Sequence, residues 1–281
     1  MIQDIKPRRL INHYDPEKKP SPSSPVLLFD GRSVLLKDRA EGAGLLRYSD
    51  FMDQVSAQDL TYLFSIDEED YFLLPDSCQT PASGCSFYKV RDIRSKHLLE
   101  KPEAFAVNTG RQLAAWYRDN RFCGTCGSET VHSRTERALV CPSCGRTIYP
   151  RIQPAVIVGV THGDQILITR YSDRPLAYDA LVAGFTEIGE TFEQTVEREV
   201  MEETGLKVKN IRYYKSQPWA ISDDILAGYY CDVDGDPTVH IDESELKRAL
   251  WTRREDITGQ PDDYSLTNEM MMVFKAGKEP R

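Results

Sequence analysis

The stretch Gly184–Leu206, GFTEIGETFEQTVEREVMEETGL, constrains the fold of this chain more than any other. Its second half reads as a helix. Thr191 and Gln194 form a Thr-x-x-Gln capping box. Phe192, Val196 and Val200 recur every four residues as an apolar stripe, and Gly205 stands where a helix C-terminal glycine belongs. Glu199, Glu202 and Glu203 lie at relative positions i, i+3 and i+4, so their carboxylates share one face. Like charges at that spacing destabilise a bare helix, and a hard divalent cation bound by oxygen ligands removes the conflict.

The full spacing says more than the three glutamates. Gly184 is followed after five residues by Glu190, and after seven more by Arg198-Glu199-Val200-Met201-Glu202-Glu203-Thr204-Gly205-Leu206. This pattern resembles the Nudix hydrolase box at every fixed position. The resemblance implies an α/β fold, a Nudix α/β/α sandwich with a mixed sheet. It also implies hydrolysis of a nucleoside diphosphate derivative with Mg²⁺ or Mn²⁺. Glu199, Glu202 and Glu203 are then the catalytic carboxylates. Glu199, Glu203, the backbone carbonyl of Ala183 and Glu245 are the metal ligands. Arg198 is expected to pair with Glu190 and hold loop against helix.

At 281 residues the chain has room for more than one domain. Its 40% apolar and 28% charged content suits a globular protein. No apolar run is long enough to span a bilayer, and MIQDIKPRRLINHY has no apolar signal-peptide core, so the expectation is a cytoplasmic protein with no membrane partner. The net charge of −9 argues against loose binding to nucleic-acid backbones. An anionic substrate stays compatible, because bound cations invert the local sign.

Seven cysteines, an odd number, do not make a disulfide framework. Cys123-Gly-Thr-Cys126 and Cys141-Pro-Ser-Cys144 are instead separated by fourteen residues. Paired Cys-x-x-Cys knuckles supply four thiolates to a tetrahedral Zn²⁺. With four protein ligands the site is closed, hence structural rather than catalytic. The intervening segment has His132, Arg134 and Arg137 but no strong basic cluster, which favours a structural or dimer-supporting ribbon over a nucleic-acid-binding one.

Residues 1–25 end in a Pro/Ser cluster and read as a lead-in or linker. Residues 26–120 read as a β-rich domain with a terminal helix. Val26–Phe29 and Ser33–Lys37 are expected as a hairpin around Asp30-Gly31, and Tyr62–Ile66 with Tyr71–Leu74 as a second. A helix is expected from Pro102 to Asn120. The zinc ribbon covers 121–148 and the hydrolase domain 149–281. That last domain is expected to hold a hairpin at 155–170, strands at 178–183, 211–217, 225–232 and 249–252, and a helix over 265–276.

Four features together resemble the NAD(H) pyrophosphatase group of Nudix hydrolases. They are the β-rich N-terminal domain, the four-cysteine ribbon, Tyr149-Pro150-Arg151, and Ser216-Gln217-Pro218-Trp219 beyond the box. The resemblance implies cleavage of NAD(H) to nicotinamide mononucleotide and AMP, action on NAD-capped RNA, and a homodimer. Tyr149, Phe185, Gln217 and Trp219 become the substrate-binding residues, since aromatic faces suit flat nucleobases and nicotinamide. The group's signature continues Pro-Phe-Pro-x-Ser after the tryptophan. Here the sequence is Ala220-Ile221-Ser222-Asp223-Asp224. The competing expectations are another nucleoside diphosphate substrate, such as ADP-ribose or a dinucleoside polyphosphate, or a zinc-ribbon nucleic-acid-binding regulator.

Overall fold

The computed structural model describes residues 1–78, 83–171 and 178–280. The chain divides into two compact units, Ile2–Arg151 and Ile152–Arg281, with Met1 grouped in the second.

In the Ile2–Arg151 unit, Val26, Leu46, Phe51 and Phe72 build an apolar core. Around it, Thr61–Ile66 and Glu69–Leu73 pair as an antiparallel hairpin. Asp67 makes the turn with φ +54°, so the acidic connection is shorter than the sequence indicated. The run expected as one strand over 26–29 serves two sheets. Pro25–Leu27 pairs with Leu46–Arg47 and Glu69–Leu73, whereas Phe29–Asp30 pairs with Ser33–Asp38. All of Val26, Leu27 and Leu28 are buried, so the chain can change sheets there without exposing apolar surface. Part of the expected lead-in is sheet as well: Leu10–Ile11 pairs with Ile66 and Ser65. Two residues held by backbone bonds leave no periodic signal in a sequence. The helix Lys101–Asp119 buries Phe105 and Trp116.

The tail of this unit, from Arg121 onward, is a three-stranded antiparallel ribbon of Val131–His132, Leu139–Val140 and Thr147–Ile148. Arg137 fastens it to the N-terminal sheet by donating to the Leu63 carbonyl at 2.5 Å. The Tyr14 hydroxyl adds a 2.7 Å bond to the Ser133 carbonyl.

In the second unit the strands are β1 (Gln153–His162), β2 (Gln165–Tyr171), β3 (Val182–Phe185), β4 (Val208–Trp219), β5 (Asp224–Val233) and β6 (Leu246–Arg253). Its helices are α1 (Phe192–Thr204) and α2 (Leu266–Lys275). The sheet order is β4-β5-β1-β2-β6, with β3 also on β1. The β1–β5 pair is parallel and the others are antiparallel, which makes the sheet mixed.

Strand alternation sorts the core into two layers. Val156, Val158, Val182, Tyr229 and Cys231 meet Val196 and Val200 of α1. Ala155, Ile157, Leu226 and Tyr230 meet Leu266, Met270 and Phe274 of α2. One helix therefore covers each face, the three-layer α/β/α arrangement expected from the sequence. Among the described residues, no helix is long and apolar enough to cross a membrane.

Candidate active site and zinc centre

The helix that carries the glutamates begins where its cap predicts. The Thr191 hydroxyl accepts from the Gln194 amide at 3.2 Å, and the Gln194 side chain accepts from the Thr191 amide at 2.9 Å. Such caps contribute about 1 kcal/mol. Gly205, at φ +71°, ends the helix in the left-handed conformation.

Within α1 the stripe of Val196 and Val200 fixes the rotation, and that rotation decides the fate of each carboxylate. Glu203 is 2% exposed and Glu199 9% exposed, whereas Glu202 remains in solvent. Burial pushes Glu203 up to about 8, with Glu199 and Glu245 adding repulsion. Burial also raises Glu199, against the pull of Arg198 and with the help of Glu202 and Glu245. Glu245 itself lies on an exposed loop between β5 and β6. That loop is tied to the end of α1, where Asp242 donates its amide to the Glu203 carbonyl at 3.1 Å. Glu199, Glu203 and Glu245 thus come from two separate segments into one electrostatically coupled group.

Arg198 organises the opposite edge. Its Nε and Nη2 donate to the two oxygens of Glu190 at 2.6 and 2.9 Å, a bidentate pair. Its Nη1 reaches Glu199 at 2.7 Å and Glu202 at 3.0 Å, and Nη2 also reaches the Phe185 carbonyl at 2.9 Å. The arginine beside Glu190 holds that carboxyl down to about 2. One guanidinium therefore links the loop, the β3 edge and the helix. Gly184 is needed for the same packing: a Cβ there would fall 1.9 Å from the Glu199 carboxyl carbon.

Tyr171, at the end of β2, was not singled out in the sequence. Its hydroxyl accepts from the Ala183 amide at 3.0 Å and lies 3.2 and 3.3 Å from the two oxygens of Glu203. It also lies 3.4 Å from the Ala183 carbonyl. It stands between two groups that the box resemblance names as metal ligands. Tyr171 and Glu203 are 32 residues apart, so no local pattern signals the contact.

The expected substrate residues are distributed unevenly. Phe185 ends β3 and is 46% exposed, the opening a stacking face requires. Trp219, at the end of β4, packs partly against the α2-side core. Gln217 is fully buried, and its amide group bonds to the Tyr264 carbonyl at 2.8 Å and the Leu266 amide at 2.6 Å. It holds the start of α2, a supporting place that the sequence did not indicate. Tyr149 belongs to the other unit, where its exposed hydroxyl donates to Glu136 at 3.1 Å.

The four ribbon cysteines form the second centre. Their sulfurs all lie within 4.8 Å of one another. Cys123 and Cys144 are 3.7 Å apart, and Cys126 and Cys141 3.4 Å. Tetrahedral zinc with bonds of 2.3 Å implies edges of about 3.8 Å, so the donor set fits. The two knuckles repeat one backbone design. Gly127 donates to the Cys123 carbonyl and Gly145 to the Cys141 carbonyl, at 2.8 and 2.9 Å. Both glycines adopt positive φ, +74° and +76°. Backbone donors such as the Thr125 amide pull the Cys123 thiol down to about 6, which favours the thiolate a metal needs.

A family model described as NUDIX domain matches residues 151–271. Residues 151–271 are a Nudix domain. A second model, NADH pyrophosphatase zinc ribbon domain, matches residues 118–149, so the four cysteines belong to a zinc ribbon of that type. The chain is 43% identical over 148 residues to the NAD-capped RNA hydrolase NudC of Escherichia coli (strain K12 / DH10B). It has the same identity, over the same length, to the protein of that name from Shigella boydii serotype 18. The match covers 53% of this chain and 57% of each relative, so the chain spans little more than half the length of the relatives it matches. Among solved structures, a Nudix hydrolase from Nitrosomonas europaea aligns with a TM-score of 0.43 and 22% identity, over 49% of this chain and 80% of that one.

Proposed function

We propose that the Nudix domain hydrolyses the pyrophosphate of NAD(H) to nicotinamide mononucleotide and AMP. The observation that carries this reading is the group of Glu199, Glu203 and Glu245 beside the Ala183–Phe185 edge, in a chain whose ribbon is of the NADH pyrophosphatase type. Two buried carboxylates with a third acting on both are costly unless a cation shares their site. All the donors are hard oxygens, which fits Mg²⁺ or Mn²⁺. Glu199, Glu203, Glu245 and the Ala183 carbonyl are the groups that would hold such an ion. Once bound, it supplies charge relief on the phosphoryl oxygens and an activated water.

The chain's own residues do the rest. Arg198 fixes Glu190, Glu199 and the Phe185 carbonyl in one bonded frame, so the carboxylates need no reorganisation when substrate arrives. Tyr171 holds the Ala183 peptide and Glu203 in register. Glu202, exposed and bonded to Arg198, stands at the rim where it can assist. Phe185 and Trp219 provide flat faces for the rings. Gln217 acts from beneath by fixing α2. The ribbon's Zn²⁺ takes no part in the reaction.

Action on NAD-capped RNA is carried over from the relatives' printed activity and belongs to the same proposal. A homodimer, a cytoplasmic setting and a division at 26–120, 121–148 and 149–281 complete it. The test is a substrate panel with Mg²⁺ or Mn²⁺: NADH, NAD⁺, ADP-ribose, diadenosine polyphosphates and NAD-capped RNA, with products separated by chromatography. The expected result is AMP plus the mononucleotide as the fastest products. Equal or faster cleavage of substrates without nicotinamide would reject the proposed specificity.

A further inference from the structure

The segment after Trp219 departs from the related signature, and its last residue is the one with unusual surroundings. Asp224 opens β5 and is 5% exposed. Its Oδ1 is buried and has no hydrogen-bond partner. Burial and the adjacent Asp223 push its carboxyl up to about 7, while its own amide and Ser222 act the other way. Among the described residues, no arginine or lysine is one of the groups acting on it. A buried carboxylate without a cation or a full set of donors is a group waiting for a partner.

Strand register tells where that group sits. Asp224 pairs with Trp219 across the β4–β5 ladder and with Gln153 across the β5–β1 ladder. The neighbouring row on the same face runs Gln217, Leu226, Ala155, Phe185. Directly opposed residues share a face, and residues two apart along a strand return to it. That face is the α2 side, because Ala155, Leu226 and Trp219 pack there with Leu266 and Met270. Asp224 is therefore a lateral neighbour of Trp219, whereas Phe185 lies one row along and two strands across. The strand end is also pinned. Asp223 takes φ +62°, and its carbonyl accepts from the Gln153 amide at 3.0 Å. The backbone holds Asp224 in place although its side chain gains little from the protein.

We propose that Asp224 is a specificity-determining residue whose buried, unpartnered carboxylate oxygen, beside Trp219, acts on a flat ring received by that tryptophan, selecting a cationic ring over a neutral one. The inference rests on the nicotinamide-dinucleotide reading above and sharpens it. The oxidised ring is a pyridinium cation. The reduced ring carries the same carboxamide without the charge. In low-dielectric surroundings a fixed carboxylate separates two ligands that differ in that charge alone. This site therefore cleaves NAD⁺ in preference to NADH.

The experiment measures kcat/KM for NAD⁺, NADH and ADP-ribose at about pH 8, on the full chain and on Asp224→Asn and Asp224→Ser. ADP-ribose lacks the ring and serves as the reference. The wild-type chain is expected to favour NAD⁺ over NADH. Asp224→Asn keeps the shape and removes the charge, and should lower the NAD⁺-to-NADH ratio about tenfold. Asp224→Ser should lower it at least as far. A ratio unmoved in both variants, with both dinucleotides cleaved, overturns the Asp224 assignment alone. An equal fall for all three substrates also overturns it, because a residue supporting the fold would act that way. Failure of the wild-type chain to cleave either dinucleotide, while ADP-ribose is cleaved, overturns the functional reading and this inference with it.

Discussion

The two candidate metal centres are built on opposite plans. In the ribbon, all four donors come from two copies of one knuckle, within 22 residues of chain, and the sulfurs already stand at the spacing of a filled tetrahedron. In the Nudix domain, the donors come from β3, α1 and the loop before β6, and Glu202 and Glu245 remain in solvent. Among the described residues, only the cysteines form a tight group of three or more donors. A closed set leaves no room for substrate, and a spread set needs substrate oxygens to complete it. The difference teaches that one centre is closed by the protein alone and the other is left open to further ligands.

That contrast can be broken from either side. The largest effect is expected for Cys141→Ser, which removes a fully buried donor from the closed centre. Zinc binding contributes on the order of 10 kcal/mol in isolated zinc peptides. The variant should lose its zinc and much of its solubility, seen by metal analysis and a thermal melt. A folded, zinc-free and active variant would contradict the structural role. Next comes Glu203→Gln, expected to reduce kcat by at least ~10³-fold while the melting temperature stays close to that of the parent. Near-parental turnover would remove Glu203 from the metal group.

Smaller effects sharpen the comparison. In Gly184→Ala, the new Cβ displaces the Glu199 carboxylate, so turnover should fall roughly 10²-fold. Zinc content should stay at the parental level, which separates the centres in one variant. Tyr171→Phe removes the hydroxyl between Ala183 and Glu203. Partners of this kind change metal affinity or activity by roughly 10- to 100-fold. The expected result is a Mn²⁺ dissociation constant about tenfold weaker, measured by titration of the manganese resonance signal. An unchanged constant would assign Tyr171 to packing alone.

What could be read from the sequence follows the range of the interactions. The capped helix, its apolar stripe and each of the two knuckles lie within a few residues of their partners, and their spacing is the signal, whereas the Arg198–Glu190 pair was implied by the box resemblance. Tyr171, Gln217 and Asp224 act through partners on other strands or helices. Gln217 meets Leu266 49 residues away, and Asp224 takes its place from β4 and β1 on either side. Sequence spacing is blind to such pairs until the register is known. The change of sheet at Leu28 was hidden for a related reason. A continuous apolar run marks burial, and burial is the same in either sheet.

The most direct test of the division between the centres is to follow zinc content and NAD(H) hydrolysis together while the intact protein is dialysed against EDTA. The account predicts that hydrolysis stops while one zinc per chain and the melting temperature persist, and that Mg²⁺ or Mn²⁺ alone restores the rate. Loss of zinc in step with activity, with recovery only on adding zinc back, would contradict it.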